Sequence, residues 1–379
     1  MRNTLIATVG TSLFMGNLDK LPGNMSIDAS LRDDLWSLYV KKNWSALAKR
    51  FLTLNPSDRI CGAEINTIEE VSNKNYLPQL ENLFFLVSDT ELGEHTGKFL
   101  TSYFEQRKDL KLKQVSFFPI IGLQDSRPKE FKTLGLRNLV REIGQLINRA
   151  GGSEYVAMDA TGGYKAQIAI AVLMGQALNI PVFYKHERFN EIIDFPPLPV
   201  AMDFDVLGKN ADLITDLERG NVIEDQNLEE KLHSKMRVFL NEIEVDGKIL
   251  YELNPIGQLY ITSFRLRYPY IPTLVPLADE KRKKPHFRPD HYPNGFKEFV
   301  EKVFRDNLFI QSTKSLPYSG NKSIKEIGFK VTQRGDDDFK LVGTYVDENQ
   351  FGARFEVFLS DNSRNAKNWA ADLLNRSYR

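Results

Sequence analysis

The sequence predicts a multidomain chain. An N-terminal α/β Rossmann-like domain covers residues 1–205, a small winged-helix-like connector 206–280, and a C-terminal α+β domain 281–379. Three observations predict it. Short apolar, β-rich runs alternate with helical spacing through the first 200 residues, the pattern of a parallel sheet covered on both faces. That alternation then stops, and turn signals such as Asp246-Gly247 and Asn254-Pro255 take over. In the last hundred residues an amphipathic helix precedes three β-rich runs, as in a helix packed on an antiparallel meander.

The elements follow in order. Thr4–Val9 is a strand that runs into Gly10-Thr11-Ser12, and Leu35–Leu54 reads as one inserted helix. Leu83–Ser88 is a buried-type strand that leads through Asp89-Thr90-Glu91 into a helix ending at Phe104. Gln114–Ile121 is a strand; Leu134, Leu136, Leu139, Ile143 and Leu146 give Phe131–Ile147 helical spacing. Tyr155–Met158 and Pro181–Tyr184 are strands on either side of an apolar helix, Tyr164–Leu178. Asn227–Ile243 is an amphipathic helix, and Lys248–Leu253 with Gln258–Ser263 completes the connector. Tyr268–Leu277, with prolines at 269, 272 and 276, is an irregular linker. Phe296, Phe299, Val300, Val303 and Phe304 share one helical face. Ile324–Thr332, Phe339–Val346 and Arg354–Leu359 are strands, Asp347-Glu348-Asn349 turns between the last two, and Ala366–Leu374 is the final helix.

Composition narrows the function classes. Fifty Lys and Arg balance fifty Asp and Glu, which excludes a wholly basic nucleic-acid coat and an acidic tail. The balance is uneven along the chain, because residues 281–379 hold 19 basic against 13 acidic residues. A basic third on an acidic body points to an anionic partner for that third. The single cysteine, Cys61, forms no internal disulfide and fits a reducing compartment. No stretch reaches the roughly 18 apolar residues of a membrane span. The N-terminus lacks a signal-peptide pattern. The expectation is a cytoplasmic protein without a membrane partner.

In a parallel sheet, ligands bind beyond the carboxyl ends of the strands. There the chain places Gly10-Thr11-Ser12, Ser88-Asp89-Thr90-Glu91 and Asp159-Ala160-Thr161-Gly162-Gly163-Tyr164-Lys165. Small and hydroxyl residues at strand-to-helix junctions expose backbone N–H groups that suit a phosphate, and Lys165 adds a full charge. A Walker loop is excluded because Lys165 is followed by Ala166, and the dinucleotide Gly-x-Gly-x-x-Gly is absent after the first strand.

These three segments, above all Asp159–Lys165, resemble the CARF domains of CRISPR accessory proteins. Gly122-Leu123-Gln124, Pro181–Tyr184 and Glu191-Ile192-Ile193 fit the same pattern. The resemblance implies a homodimer that binds a cyclic oligoadenylate, here expected to be cyclic tetra-adenylate, across its two-fold axis. The implied ligand-binding residues are Gly10, Thr11, Ser12, Ser88, Asp89, Thr90, Asp159, Thr161, Gly162, Gly163 and Lys165. Some CARF domains also cleave their ring, for which Thr11, Ser12 and Lys165 would align the 2′-hydroxyl and hold the phosphate.

CARF proteins carry effectors, and three kinds bear comparison. A HEPN ribonuclease needs Arg-x4–6-His, and none of the five histidines has an arginine at that distance upstream. Pro289-Asp290 and Asp338-Phe339-Lys340 match the letters of a PD-(D/E)xK metal nuclease, but Asp338 closes a loop-like Arg-Gly-Asp-Asp-Asp run. Residues 281–379 resemble RelE-type toxins best, through Phe339–Glu348, Arg354–Leu359 and Asp361–Asn365. That resemblance implies a metal-free, cofactor-free endoribonuclease acting on ribosome-bound mRNA. Lys340 corresponds to the family's basic strand residue and Arg364 to its downstream arginine, with Lys330, Arg334 and Arg354 as further catalytic candidates. Tyr345, His286 and His291 are candidates for stacking or proton transfer. Tyr268–Leu277 is a candidate docking strip for a ribosomal protein, such as one of the stalk. The alternative from another class is a CARF regulator whose connector and basic C-terminus bind DNA without cutting.

Overall fold

The structure is a computed structural model. It describes every residue except 1, 25, 187–190, 200–201, 225–233, 268–273, 318–323, 325 and 335–337. The chain divides into two compact units. The first is Met1–Ala201 with Gln258–Arg267, and the second is Met202–Gly257 with Tyr268–Arg379.

The first unit is built on a six-stranded sheet, β1 (Thr4–Thr8), β2 (Asn82–Ser88), β3 (Gln114–Ile120), β4 (Val156–Asp159), β5 (Val182–Tyr184) and β6 (Ile193–Phe195). Its order is β3-β2-β1-β4-β5-β6. All neighbours pair in parallel except β5 with β6. Strands β1 and β4 are buried along their whole length, which is why they read as continuous apolar runs rather than alternating ones. The covering helices are α1 (Ala29–Val40), α2 (Trp44–Phe51), α3 (Gly62–Asn73), α4 (Glu91–Gln106), α5 (Leu136–Arg149) and α6 (Lys165–Leu178). The single helix expected over Leu35–Leu54 is in fact two. Lys42 takes a positive φ of 52°, and the Asn43 side chain then caps α2 by accepting from the Ala46 N–H. Phe14, Phe51, Phe85, Phe99 and Phe104 fill the core on one side of the sheet.

The second unit has α7 (Asp205–Lys209), α8 (Ala211–Glu218), a small antiparallel sheet of β7 (Ile223–Glu224), β8 (Leu240–Val245) and β9 (Lys248–Leu253), and a larger one. The helix expected over Asn227–Ile243 falls partly outside the described residues, and Leu240–Ile243 is strand, paired to β9 through the Asp246-Gly247 turn. Asn254-Pro255 is not a turn but a helix start. Asn254 Oδ1 accepts from Gly257 N–H at 2.9 Å, and Pro255 opens α9 (Pro255–Arg267), so Gln258–Ser263 is helical. Tyr268–Leu277 lies largely outside the described residues.

The larger sheet has β10 (Ile310–Ser315), β11 (Gly328–Arg334), β12 (Asp338–Val346) and β13 (Gly352–Leu359) in the order β10-β13-β12-β11, all antiparallel. The expected meander is β11-β12-β13; β10 is a further strand that the polar run Gln311–Lys314 concealed. Helices α10 (Phe296–Asp306) and α11 (Arg364–Tyr378) supply Phe296, Val300, Val303, Ala370 and Leu374 to a core with Phe329, Leu341, Phe355 and Val357. Among the described residues no helix is long and apolar enough to cross a membrane.

Candidate functional site

Strands β1 and β4 lie side by side, and the chain leaves them toward opposite edges of the sheet. The crevice beyond their carboxyl ends is the topological switch point, the position where α/β sheets bind ligands. Two loops meet there with almost no space between them. Thr8 Oγ1 donates to Gly162 O at 2.6 Å. A Cβ on Gly10 would stand 2.9 Å from Gly163 N, and one on Gly162 2.8 Å from Gly10 N. Gly163 has a φ of +99°, the region that favours glycine. The buried Gln167 locks the loop. Its Oε1 accepts from Tyr164 N–H at 3.3 Å, and its Nε2 donates to Leu86 O of β2 at 3.1 Å. After Ser12 the chain enters a π-helical turn, Leu13–Leu18, a geometry that recurs at functional sites.

Helix α3 closes the crevice from the side. Glu64 Oε1 accepts from Gly10 N–H at 2.9 Å, and Thr67 Oγ1 lies 3.1 Å from Thr161 Oγ1. Glu70 accepts from Ile192 N–H at 3.0 Å and pairs with Lys74 and Lys185, which hold its carboxyl below the usual range against the opposing effect of burial. Lys185 N–H also donates to Thr161 Oγ1 at 2.9 Å. A cavity of about 520 Å³ opens over this cradle, lined by Gly10, Thr11, Ser12, Ser88, Gly162 and Gly163 among others. Beside it is a cavity of about 790 Å³ that shares Ser12, Ala63, Lys185 and His186 with the first.

Two carboxyls lie beneath the glycines. Asp159 is fully buried; Thr161 N–H donates to its Oδ1 at 3.0 Å, and its Oδ2 has no partner. Burial pushes its pKa up to about 7, opposed by the Thr161 hydrogen bonds and aided by the charge of Glu64. Glu64 is itself buried and raised, with Oε2 unpartnered. The unfolded value of an aspartate is about 4, so between about pH 4 and pH 7 the folded state holds a proton that the unfolded chain has lost. This contribution to stability therefore falls as pH rises through that window and levels off above it. Asp159→Asn removes the effect. Its melting temperature minus that of the wild type is expected to grow from pH 5 to pH 8 in scanning calorimetry; a difference that stays constant or shrinks would contradict the assignment.

The sequence-predicted ligand residues divide into three groups. Gly10, Thr11, Ser12, Ser88, Thr161, Gly162 and Gly163 line the cradle. Asp89, Thr90 and Asp159 support it from behind. Asp89 Oδ2 accepts from Gly122 N–H at 2.9 Å, and Thr90 caps α4 while its hydroxyl meets Ser88 Oγ at 2.9 Å. Lys165 opens α6, is exposed and does not line either cavity. Glu64, Asn66, Glu70, Tyr184, Lys185 and His186 were not singled out from sequence. Lys185 and His186 follow β5, so the strand-end rule applied to Pro181–Tyr184 could have found them.

In the second unit, residues opposite one another across a ladder share a face. Lys340 faces Thr332, Lys330 faces Val342, Val342 faces Glu356, and Arg354 faces Thr344. Glu356 also faces Lys314, which bridges in parallel to His286. Lys330, Lys340, Arg354, Lys314 and His286 thus share the face opposite the core, with Glu356 among them 3.5 Å from Lys340 Nζ. Lys314 and the bridging strap at His286 were missed as sheet members. Arg334 ends β11 opposite Asp338. Arg364 is set apart. It is ion-paired with Asp205 and its guanidinium lies 4.5 Å from the centroid of Phe339, a neighbour of Lys340 that alternation turns to the other face. Tyr345 donates to Asn294 O at 2.9 Å, and His291 is exposed. Asp205, Asp212 and Asp216 pair with Arg364, Lys330 and Arg379, so part of the basic surplus is neutralised within the unit. Among the described residues, no three His, Cys, Asp or Glu side chains come together as a metal-ligand set.

No curated protein matches the chain. Residues 59–198, which carry α3, β2 to β6 and the Gly162-Gly163 loop, match the family model described as CRISPR-associated protein (Cas_APE2256). Over that part of its length, this chain is similar to a CRISPR-associated protein family.

Proposed function

We propose that the chain is a CRISPR accessory effector in which a cyclic oligoadenylate bound by the first unit activates a ribonuclease in the second. The observation that carries the reading is the glycine cradle at the β1/β4 switch point, where Gly10, Gly162 and Gly163 give the cavity a stretch of floor without side chains beside Thr11, Ser12 and Lys185. Such a floor admits a phosphodiester close to the main chain. A ring with an even number of adenylates is itself two-fold symmetric, and a homodimer presents the cradle twice across an isologous interface. Four adenylates is the ring size proposed. Turnover of the bound ring is a secondary activity of the same site, with Thr11 and Ser12 beside the phosphate.

The second unit acts as a RelE-like interferase. The 2′-oxygen of a ribose attacks the adjacent phosphorus as the P–O5′ bond breaks, leaving a 2′,3′-cyclic phosphate and a 5′-hydroxyl. The 2′-proton goes to solvent or a nearby base, and the leaving oxygen takes one up. Lys340 and Arg354, on the face of the sheet opposite the core, hold the extra charge on the phosphoryl oxygens without a metal. The ribosome holds the mRNA so that the 2′-oxygen is in line. Titration calorimetry with cyclic and linear tetra-adenylate tests the sensor. The ring should bind tightly with one ring per two chains and the linear form far more weakly. Equal affinity for both, or no binding of the ring, would overturn the reading.

A further inference from the structure

Glu64 of α3 and Asp159 at the end of β4 are fully buried, and neither lines a cavity. Both reach the cradle from behind. Glu64 Oε1 accepts from Gly10 N–H at 2.9 Å and stands where a Cβ on Gly162 would have to go. Asp159 Oδ1 accepts from Thr161 N–H at 3.0 Å. Gly10, Thr161 and Gly162 line the smaller cavity, so each carboxyl touches main chain that borders the cavity. Each also keeps one oxygen, Glu64 Oε2 and Asp159 Oδ2, without a hydrogen-bond partner. A buried carboxylate with neither a cation nor a full set of donors is costly, and holding a proton relieves the cost.

The charged groups nearby are engaged elsewhere. On α3, Glu70 pairs with Lys74 and Lys185, and Glu69 with Arg107. After β2, Asp89 accepts from Gly122 N–H. After β5 come Lys185, already the partner of Glu70, and His186, which lines both cavities. At the start of α6, Tyr164 lines the cradle and Lys165 is exposed. Among the described residues no ion pair reaches Glu64 or Asp159. Burial raises both carboxyls, Asp159 to about 7, and the charge of Glu64 adds to the rise at Asp159, so the two titrate as a pair.

A phosphodiester on the cavity side of the same main chain is a further negative charge, and like charges at one site favour the protonated form. On the cyclic-adenylate reading of the cradle, we propose that the cradle takes its phosphate together with a proton, which Glu64 and Asp159 share beneath Gly10 and Gly162. The two carboxyls are positioning residues. With the proton in place the loops carry less negative charge at their backs and accept the anion; without it they repel the anion. The free pair begins to lose its proton near pH 7, so binding above that pH takes one up and weakens as pH rises.

Calorimetry of cyclic tetra-adenylate binding at pH 8 in Tris and in HEPES, whose heats of ionisation differ, reads proton uptake from the difference in binding heat. The expected uptake is about half to one proton per chain, with Kd rising about tenfold from pH 7 to pH 8.5. The variant Glu64→Gln with Asp159→Asn keeps both acceptor oxygens and has no proton to titrate. With its melting temperature checked, its uptake should fall to near zero and its Kd should stop changing with pH, whatever the absolute Kd. Should that variant fail to fold, Asp159→Asn alone is expected to lower the uptake by about half. Tight binding by the wild type with equal proton-corrected heats in both buffers and a flat pH profile overturns the shared proton and leaves the cradle reading standing. Uptake undiminished in the folded variant places the proton on another group, such as His186, and also overturns it. Failure of the ring to bind at any pH overturns both readings.

Discussion

Gly162→Ala is expected to weaken binding of cyclic tetra-adenylate by about 10²-fold or more. The added Cβ would stand 2.2 Å from Glu64 Oε1, 2.8 Å from Gly10 N and 3.0 Å from Thr8 O. Two of those neighbours are main chain, so the two loops must separate rather than a side chain give way. A displacement near 1 Å in a site that positions atoms is enough for a loss of that size. Overpacking costs about 1–3 kcal/mol of stability as well. Gly23→Ala is the control, because nothing lies within 4 Å of the Cβ it would add. Calorimetry of both variants should show the ring lost from the first and kept by the second. Normal binding by Gly162→Ala would mean that the phosphates do not approach this loop.

Lys340→Ala and Arg354→Ala should each lower the rate of mRNA cleavage by about 10²–10³, the usual effect of removing one fixed donor that faces developing charge. Both lie on the face opposite the core, where Lys340 Nζ is 3.5 Å from Glu356 Oε2. Arg364→Ala is expected to act differently. Its guanidinium is occupied by Asp205 and by the ring of Phe339, so its loss should lower the melting temperature and leave the chemical step largely intact. Single-turnover assays on ribosome-bound message separate the two outcomes. A rate loss confined to Arg364→Ala would move the active centre to the other side of the sheet.

Much of the first unit was legible because its strands are buried on both faces. Leu83–Ser88 and Tyr155–Met158 announce themselves by apolar continuity, and Asp159–Lys165 by its glycines. Helix α3 gave no comparable signal. Asn66, Glu70, Asn73 and Lys74 have helical spacing, but only the approach of α3 to the ends of β1 and β4 turns them into a wall. Glu64 shows the same limit, since a lone buried carboxyl has meaning only through the Gly10 N–H it receives.

In the second unit, alternation within a strand gave Lys330, Lys340 and Arg354 their common face, which the cross-strand register then joined. Sequence places Arg364 just past the end of a strand, in a basic tail beside the other candidates. Ser363 instead caps a helix there, accepting from Ala366 N–H at 3.3 Å, and carries Arg364 toward Asp205. Long-range partners such as Asp205, more than 150 residues away, leave no local pattern in the sequence. The same holds for His286, whose place beside Lys314 depends on a segment running parallel to the edge strand β10.

A ring bound by the first unit is expected to switch on RNA cleavage by the second. This is tested most directly by one assay of the full chain on messenger RNA held on ribosomes, with and without cyclic tetra-adenylate. The expected result is cleavage only with the ring, giving 2′,3′-cyclic phosphate and 5′-hydroxyl ends, and loss of cleavage in Gly162→Ala. Cleavage that is indifferent to the ring, or no cleavage with the ring demonstrably bound, would contradict it.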